Sequence, residues 1–366
     1  MKILLSGGGT AGHINPALAI AKYAKEKDKN TEVLFMGTRR GLESTLVPKE
    51  NFDISFVNVD GLKKEISVKS AVSCAKLVFA TAKAVAIIKK FGPDIVVGTG
   101  GYVCVPAILG ARILGIPAAI HEQNVFPGAA VRFLADKCAV TLTSFEESKK
   151  YLSNATRLEL TGNPIRPSIL KHSKEECMEK LGINGKKVIL AFGGSLGAMK
   201  INDVMTEYIK RKPKDAVIFF ATGERDFERI TALVGDVSPD VRILRYIDNM
   251  DVLMNAADVV ICRSGAITLA ELCAIGKPAV LIPSPNVTNN HQEYNARALS
   301  DRGAAITITE NNFNAESLDE AISKILNDSK YAEDMSVRSK ELGITDASKK
   351  IYDIMVKHTG VEPRMS

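Results

Sequence analysis

Apolar and polar positions follow two alternating periods along the first half of the chain. Short apolar runs predict buried strands at 2–6, 32–36, 54–57, 95–98, 118–121 and 139–142. Segments with apolar residues every three or four positions predict helices between these strands, at 16–26, 41–49, 68–90, 103–114 and 145–152. Strands that alternate with helices are typical of a parallel sheet with right-handed crossovers.

The pattern stops at 161–167 and then starts again. The segment TGNPIRP interrupts both periods with two prolines, an asparagine and a glycine, which indicates a linker. Further strands are predicted near 188–192, 217–221, 241–245, 259–262, 279–282 and 304–306. The last apolar-periodic stretch, 347–355, is expected to pack back across the linker.

A length of 366 residues favours two domains of ordinary size, each with its own core. We therefore predict an α/β protein with two Rossmann-like domains, over residues 1–162 and 163–344. The C-terminal helix, at about 345–358, is expected to pack on the first domain.

Four glycine-rich turns follow predicted strands and precede predicted helices. Their sequences are SGGGTAGH at 6–13, GTGGY at 98–102, FGGSLGA at 192–198 and CRSGA at 262–266. Glycine lets a backbone approach a ligand closely, and the helix start beyond it attracts anions. The turns predict a ligand site in a cleft between the two domains.

Composition excludes several classes of protein. Hydrophobic residues make up 46% and charged residues 25%, as in ordinary globular proteins, and the six cysteines show neither a CxxC pair nor disulfide-like spacing. The longest apolar stretch, 102–120, is broken by Pro106, Arg112 and Pro117, so no membrane span is expected. A net charge of +6 suits an anionic substrate, a nucleic acid or an acidic membrane surface, and the absence of tryptophan argues against base stacking.

Lysines crowd the segment from 63 to 90, which also carries apolar residues such as Phe79. One interpretation is a helix with one face in the core and a solvated lysine face. The alternative is a helix that lies at a membrane interface.

The first turn satisfies the dinucleotide pattern GxGxxG with Gly7, Gly9 and Gly12. The second predicted strand ends in MGTRR, however, where an acidic residue would hold the ribose of NAD. NAD binding is thus disfavoured, whereas NADP binding stays open. His13 begins the following helix, where the dipole favours a neutral ring able to accept a proton; a capping or packed histidine is the structural alternative.

Glu271 is the only charged residue of the predicted helix AITLAELCAIG, so it must be paired, solvated or turned to a polar cleft. If Ser264 and the helix start bind a diphosphate, Glu271 can accept hydrogen bonds from sugar hydroxyls, which indicates a nucleotide sugar. The clusters HEQN at 121–124 and NNHQEYNA at 289–296 add polar groups. No metal-binding motif is present, so backbone N–H groups and Arg166 would neutralise a leaving diphosphate.

Taken together in this order and spacing, GGGTAGH, GTGGYVCVP, HEQNVFPG, GNPIR, GGSLGA, CRSGAITLAE and NNHQEYNA closely resemble the MurG family. These are inverting glycosyltransferases of the GT-B class, and the resemblance extends from residue 1 to about 358. It implies two Rossmann-like parallel-sheet domains facing across a cleft. It also implies transfer of N-acetylglucosamine from UDP-N-acetylglucosamine to the C4 hydroxyl of undecaprenyl-diphospho-N-acetylmuramoyl-pentapeptide (lipid I), without a cofactor or metal, for peptidoglycan synthesis.

The resemblance also implies site residues. His13 would be the general base, with Glu122 as the second candidate. Donor-binding positions would be Thr10, Ala11, Gly12, Asn124, Arg166, Ser195, Ile247, Ala266, Ile267, Thr268, Glu271 and Gln292. Acceptor-binding positions would be Gly9, Gly100, Gly101, Tyr102 and Asn295.

One departure from the family concerns Ala11, where many relatives have glycine; a positive φ there would cost about 1 kcal/mol. The resemblance further implies a peripheral position on the cytoplasmic face of the cell membrane, with anionic lipids as a partner. The membrane-facing first domain would dock through the lysines of 63–90 with Phe79, Phe126 and Phe133. An NADP-dependent oxidoreductase and a non-catalytic, membrane-associated UDP-sugar-binding protein are the alternative functions.

Overall fold

The computed structural model describes residues 1–59, 68–183, 185–194, 197–211, 216–236 and 238–360. The chain forms two compact units. The first unit comprises residues 1–165 and the C-terminal segment from 345, and the second unit comprises residues 166–344. Within the described ranges, no helix is both long enough and apolar enough to cross a membrane.

The first unit is built on a parallel sheet of seven strands, in the order β3-β2-β1-β4-β5-β6-β7. The strands are β1 (Lys2–Ser6), β2 (Glu32–Gly37), β3 (Asp53–Phe56), β4 (Ile95–Gly98), β5 (Ala118–Glu122), β6 (Val140–Thr143) and β7 (Leu158–Leu160). The helices are α1 (Ala11–Lys27), α2 (Glu43–Lys49), α3 (Val68–Phe91), α4 (Cys104–Ile113) and α5 (Ala129–Leu134).

The second unit has a parallel sheet of six strands, in the order β10-β9-β8-β11-β12-β13. The strands are β8 (Lys187–Phe192), β9 (Ala216–Ala221), β10 (Val241–Leu244), β11 (Val259–Cys262), β12 (Ala279–Leu281) and β13 (Ile306–Thr307). The helices are α6 (Lys174–Lys180), α7 (Met199–Lys210), α8 (Phe227–Val234), α9 (Met250–Ala256), α10 (Ala266–Ile275), α11 (His291–Ser300), α12 (Ala315–Asn327) and α13 (Ser329–Glu341). Helix α14 (Ala347–Thr359) follows and belongs to the first unit.

Alternation along the strands builds a core on each face of the first sheet. Ile3 and Leu5 of β1 pack with α1 and α14 on one face, whereas Leu4 packs with α3 and α4 on the other. Because both faces are covered by helices, the central strands are apolar at nearly every position. Helix α14 completes the first of these layers with Tyr352, which meets Tyr23 of α1 edge to face, with ring centroids 5.8 Å apart.

The two parallel sheets confirm the predicted fold class, and the strand orders show where a ligand is expected. In each sheet the chain first winds outward in one direction and then returns to the other side of its first strand, between β1 and β4 and between β8 and β11. Ligands of open α/β sheets bind outside the carboxyl ends of the strands at such a reversal. All four glycine-rich turns follow these four strands.

Three local predictions differ from the structure. The segment 145–152 forms a 3-10 helix at Glu146–Tyr151 rather than an α-helix. Strand β7 and helix α5 were not predicted. Both are short, and β7 is a partly exposed edge strand, so neither gives a clear apolar period.

Candidate functional site

In the first unit, the turns after β1 and β4 lie against each other at the reversal point. The amide of Gly8 donates to the carbonyl of Gly100 at 3.3 Å, and the amide of Thr99 donates to the carbonyl of Ser6 at 2.8 Å. The predicted acceptor-binding glycines Gly9, Gly100 and Gly101 all have positive φ. The two turns therefore lie together at the carboxyl edge of the first sheet, which we call the first edge.

Gly100 makes room for the ring of His13. A Cβ atom at Gly100, which has a φ of +104°, would lie 2.5 Å from Nδ1 of that ring. The hydroxyl of Thr99 donates to the backbone carbonyl of His13 at 2.7 Å and holds the start of α1 in place. Burial lowers the pKa of His13, so its ring is neutral at pH 7.

The HEQN segment at the end of β5 reaches the same edge. Oε1 of Gln123 lies 3.0 Å from Nδ1 of His13. His121 is fully buried, and this burial lowers its pKa to about 4. The structure thus joins the first turn and the HEQN segment, two motifs 110 residues apart in sequence.

Glu122, the second candidate base, holds the chain of its own loop. Its Oε1 accepts from the amide and the side chain of Asn124, at 2.9 and 3.1 Å, and its Oε2 accepts from the amide of Gly128 at 2.8 Å. Only 1% of the residue is exposed. A carboxylate with these bonds is suited to shape the loop that carries Asn124.

Glu43, at the start of α2, was missed by sequence reasoning. Its carboxylate accepts from the amide of Gly9 at 3.0 Å, and from the amide and hydroxyl of Thr38 at 2.9 and 2.7 Å. A Cβ atom at Gly8, Gly37 or Gly41 would lie within 2.6 Å of the Glu43 side chain. Three glycines thus make the space for one buried carboxylate beneath the first turn.

The remaining predicted residues of the first unit lie at the surface of this edge. Thr10 and Gly12 are exposed, Ala11 and Asn124 are half-buried, and Tyr102 is 42% exposed. Ala11 begins α1 and does not have a positive φ, so the expected strain at this position is absent.

In the second unit, the turn after β11 leads into α10, whose first residues are Ala266, Ile267 and Thr268. The first amides of a helix have no partner within the helix, which makes this end suited to an anion. Arg263 fixes the turn, because its guanidinium donates to the carbonyl of Ile282 at 3.1 Å and pairs with Glu310 at 2.5 Å.

Arg166 and Glu271 form an ion pair. Nε and one terminal nitrogen of the guanidinium lie 2.6 and 3.3 Å from the two carboxylate oxygens. The Glu271 side chain is 4% exposed, whereas that of Arg166 is 45% exposed. Burial raises the pKa of Glu271, and the charge of Arg166 opposes this shift. The lone carboxylate of α10 is therefore paired, as one of the sequence alternatives required.

Two amide side chains of α11 support neighbouring loops. Oε1 of Gln292 accepts from the amide of Ser284 at 2.9 Å, and the side chain of Asn295 donates to the carbonyl of Ser264 at 3.1 Å. Asn295 is fully buried and supports the Ser264 turn. Ile247 is buried. Ser195 lies outside the described residues.

Among the side chains that the structure describes, no three histidine, cysteine, aspartate or glutamate residues converge as metal ligands. The first edge offers the neutral imidazole of His13. The second edge offers a helix start beside a buried carboxylate and an arginine.

Two family profiles match the chain. The glycosyltransferase family 28 N-terminal domain matches residues 3–143, and the glycosyltransferase family 28 C-terminal domain matches residues 188–351.

The chain is also similar to individual proteins over nearly its whole length. It is 46% identical over 359 residues to the UDP-N-acetylglucosamine--N-acetylmuramyl-(pentapeptide) pyrophosphoryl-undecaprenol N-acetylglucosamine transferase of Acetivibrio thermocellus, covering 97% of each chain. It is 43% identical to the protein of the same name from Thermoanaerobacter sp. (strain X514), covering 97% of this chain and 99% of the relative. The crystal structure of Acinetobacter baumannii MurG matches with a TM-score of 0.81 at 28% identity, covering 97% of this chain and 99% of the other.

The two profiles fall on the two sheets described above. The chain belongs to glycosyltransferase family 28.

Proposed function

We propose that this protein transfers N-acetylglucosamine from UDP-N-acetylglucosamine to the C4 hydroxyl of undecaprenyl-diphospho-N-acetylmuramoyl-pentapeptide, with inversion, for peptidoglycan synthesis. The observation that carries the proposal is the 46% identity over 97% of both chains to a transferase with that donor and acceptor in its name. The product is the lipid-linked disaccharide, lipid II.

His13 is the proposed general base. The acceptor oxygen attacks the anomeric carbon from the face opposite UDP, the bond from that carbon to the diphosphate breaks, and the proton of the hydroxyl passes to the ring. A histidine base must be unprotonated at the working pH, and burial lowers the pKa of His13 accordingly. The carboxylate of Glu122 is already engaged by backbone and side-chain donors.

The donor is proposed to bind mainly to the second unit. The helix start at Ala266–Thr268 suits the diphosphate, together with Ser195 and Arg166, and the backbone at Ile247 suits uracil. Glu271 accepts from the ribose hydroxyls, and Gln292 contacts the sugar. Thr10, Ala11, Gly12 and Asn124 are the proposed contacts from the first unit, and the acceptor is proposed to lie near Gly9, Gly100, Gly101 and Tyr102.

The first turn is unsuited to NADP. Dinucleotide sites offer the backbone amides of such a turn to the pyrophosphate. Here the amide of Gly9 donates to the carboxylate of Glu43, and the amide of Gly8 donates to the carbonyl of Gly100. A buried negative charge beneath the turn would also repel a phosphate.

The proposed membrane-docking surface lies on α3, α4 and α5. Large apolar side chains are exposed there: Val78 at 68%, Phe79 at 76%, Ile113 at 66% and Phe133 at 49%. Lys83 and Arg112 are exposed on the same helices, whereas the predicted lysines at 63 and 64 lie outside the described residues. Exposed apolar groups among cations suit an anionic leaflet, which supports a peripheral position on the cytoplasmic face of the membrane. Phe126 packs edge to face on Tyr151, with centroids 4.8 Å apart, and contributes less.

The activity is tested with labelled UDP-N-acetylglucosamine and a lipid-linked muramyl-pentapeptide, without added metal. Disaccharide product is expected. UDP binding without product would instead indicate a non-catalytic sugar-nucleotide-binding protein, and heat on titration with NADPH would favour an oxidoreductase.

His13→Ala should retain UDP binding and lower transfer at least about a hundredfold, the usual scale for a lost general base. The matched control, His172→Ala, changes a histidine of the second unit outside the proposed site and should keep full transfer. Unchanged turnover in His13→Ala would remove the residue from its proposed role.

Glu271→Ala should raise the donor KM, and an unaltered KM would contradict the ribose contact.

A further inference from the structure

The side chain of Gln123 faces His13 on one side and a set of fixed acceptors on the other. Its Nε2 lies 2.9 Å from the carbonyl of Thr99 and 3.1 Å from the carbonyl of His121. A carbonyl oxygen can only accept a hydrogen bond. The group of Gln123 that faces these two carbonyls must therefore be the amide nitrogen, and Oε1 is left to face His13.

This orientation determines the protonation of both histidines that Gln123 contacts. Nε2 of Gln123 lies 2.9 Å from Nδ1 of His121, and because an amide nitrogen cannot accept a hydrogen bond, Nδ1 of His121 carries no hydrogen. The other ring nitrogen of His121 lies 2.9 Å from the carbonyl of Gly162 and donates to it. On the opposite side, Oε1 of Gln123 lies 3.0 Å from Nδ1 of His13, and because this oxygen accepts, Nδ1 of His13 carries the hydrogen.

A neutral imidazole carries one hydrogen. With the hydrogen on Nδ1, Nε2 of His13 keeps a lone pair and is the ring nitrogen that can take a proton. From the geometry we infer that Gln123 is a positioning residue, which sets the tautomer of His13 through an amide anchored on the Thr99 and His121 carbonyls. The inference deepens the proposed function, since it matters for transfer only if His13 is the base.

Burial supports the arrangement. Gln123 is 3% exposed and His121 is fully buried, so water does not compete for these hydrogen bonds. A neutral amide also differs from a carboxylate at the same place, because it fixes the tautomer without adding a negative charge that would favour the protonated imidazolium.

The test is the nitrogen NMR spectrum of the full chain labelled with nitrogen-15 histidine, at a pH where His13 is neutral. His13→Ala identifies the signals among the five histidines. A protonated Nδ1 and an unprotonated Nε2 are expected in the wild-type protein. A hydrogen on Nε2 of His13 in the wild-type protein would overturn the inference without any variant.

Gln123→Leu provides the second measurement. We expect a mixture of His13 tautomers, an unchanged KM for UDP-N-acetylglucosamine, and a kcat reduced about tenfold to a hundredfold, a fraction of the effect of a general base. The control for the spectrum alone is Gln292→Leu, which removes the only other glutamine and should leave the His13 signals unchanged. Its transfer kinetics are not compared, because Gln292 is a proposed donor contact. A single Nδ1-protonated form in folded Gln123→Leu would contradict the inference.

The two proposals fail in different ways. An unchanged transfer rate in His13→Ala with the expected tautomer in the spectrum would overturn the role of His13 as base and leave the tautomer assignment intact. A strongly reduced transfer rate in His13→Ala, together with a hydrogen on Nε2 of His13 in the wild-type spectrum, would keep His13 as the base and overturn the role of Gln123.

Discussion

At the scale of single residues, the environment of His13 predicts the pH dependence of transfer. Burial lowers its pKa below the ordinary 6.5, although hydrogen bonds with Gln123 and Thr99 oppose the shift. A base acts only when it is deprotonated, so activity should be lost as the pH falls through this lowered pKa. We expect the acidic limb of the kcat/KM profile to be centred below pH 6.5, the ordinary pKa of histidine.

The measurement is the pH profile of kcat/KM, with UDP affinity followed over the same range as a control for the donor site. An acidic limb centred above 6.5 would show that another group is the base or that the ring of His13 is protonated more easily than its burial indicates.

The carboxylate of Glu43 predicts a stability effect. Burial alone would raise its pKa, but hydrogen bonds from Gly9 and Thr38 outweigh burial and lower it. In Glu43→Gln, an NH₂ group replaces one oxygen and faces a backbone N–H donor. We expect the free energy of unfolding to fall by about 1–3 kcal/mol at pH 7.

The pH dependence of this effect has a defined sign. Because the folded pKa lies below the ordinary 4.5, the ionised Glu43 stabilises the fold above that pH, and the contribution is lost as the pH falls through the folded pKa. The difference between wild type and Glu43→Gln, measured by urea unfolding, should narrow below pH 4.5. A difference that does not change with pH would rule out this role of the charge.

The sequence identifies candidate reactive and ligand-binding residues more readily than the residues that hold them in place. His13 and Glu271 stand out because each is a polar residue at a helix position where a neighbouring strand and turn predict a site. Glu43 has no such signal, since an acid at the start of a helix is normally solvated. Its burial depends on Gly8, Gly37 and Gly41, which come together only in the folded chain.

At the scale of elements, the spacing of apolar residues and the glycine-rich turns predict the long helices and the central strands. They do not predict the short elements. The 3-10 helix at Glu146–Tyr151 has the polar sequence EESKKY, so nothing in its composition separates it from an α-helix. The Arg166–Glu271 pair shows the same limit, because its partners lie 105 residues apart and only the fold of the second unit joins them.

Helix α14 gives the prediction at this scale. Tyr352 is 5% exposed and packs on Tyr23 of α1, so Tyr352→Ala leaves a cavity in the first unit. We expect the free energy of unfolding of that unit to fall by about 3 kcal/mol, as for other large aromatic truncations. Chemical denaturation followed by tyrosine fluorescence measures it.

The control lies on the same helix. Lys349 pairs with Asp353 at 2.6 Å, and both side chains are more than half exposed. Lys349→Ala should change stability by less than about 1 kcal/mol, because exposed ion pairs contribute little. Equal effects of Lys349→Ala and Tyr352→Ala would mean that α14 does not form part of the core of the first unit.

At the scale of the whole molecule, two sheets of the same design differ in what their turns can bind. Each sheet places two glycine-rich turns at its reversal point. In the first unit the amide of Gly9 donates to Glu43, and His13, the proposed base, lies in the first turn of α1. In the second unit, helix α10 carries a buried carboxylate, Glu271, that is paired with the guanidinium of Arg166. This asymmetry fits a donor diphosphate on the second unit and proton transfer on the first.

The proposed docking surface also belongs to this scale, because it combines side chains of several helices with the net charge of +6. Replacing Phe79 and Ile113 by serine removes two of the most exposed apolar side chains, 76% and 66% exposed. Each buried side chain of this size contributes about 1.5–3 kcal/mol on transfer from water. We expect binding of the double variant to anionic vesicles to fall at least about tenfold, measured by co-sedimentation.

The matched control is Met199→Ser, which removes a side chain 69% exposed on α7 of the second unit and should leave vesicle binding unchanged. The salt dependence of vesicle binding separates the contribution of the cations from that of the apolar side chains. Binding of the wild-type protein should weaken as salt rises, because cations such as Lys83 and Arg112 are screened over about 10 Å at 0.1 M. If Phe79→Ser with Ile113→Ser and Met199→Ser reduce binding equally, the surface on α3, α4 and α5 is not where the protein meets the membrane.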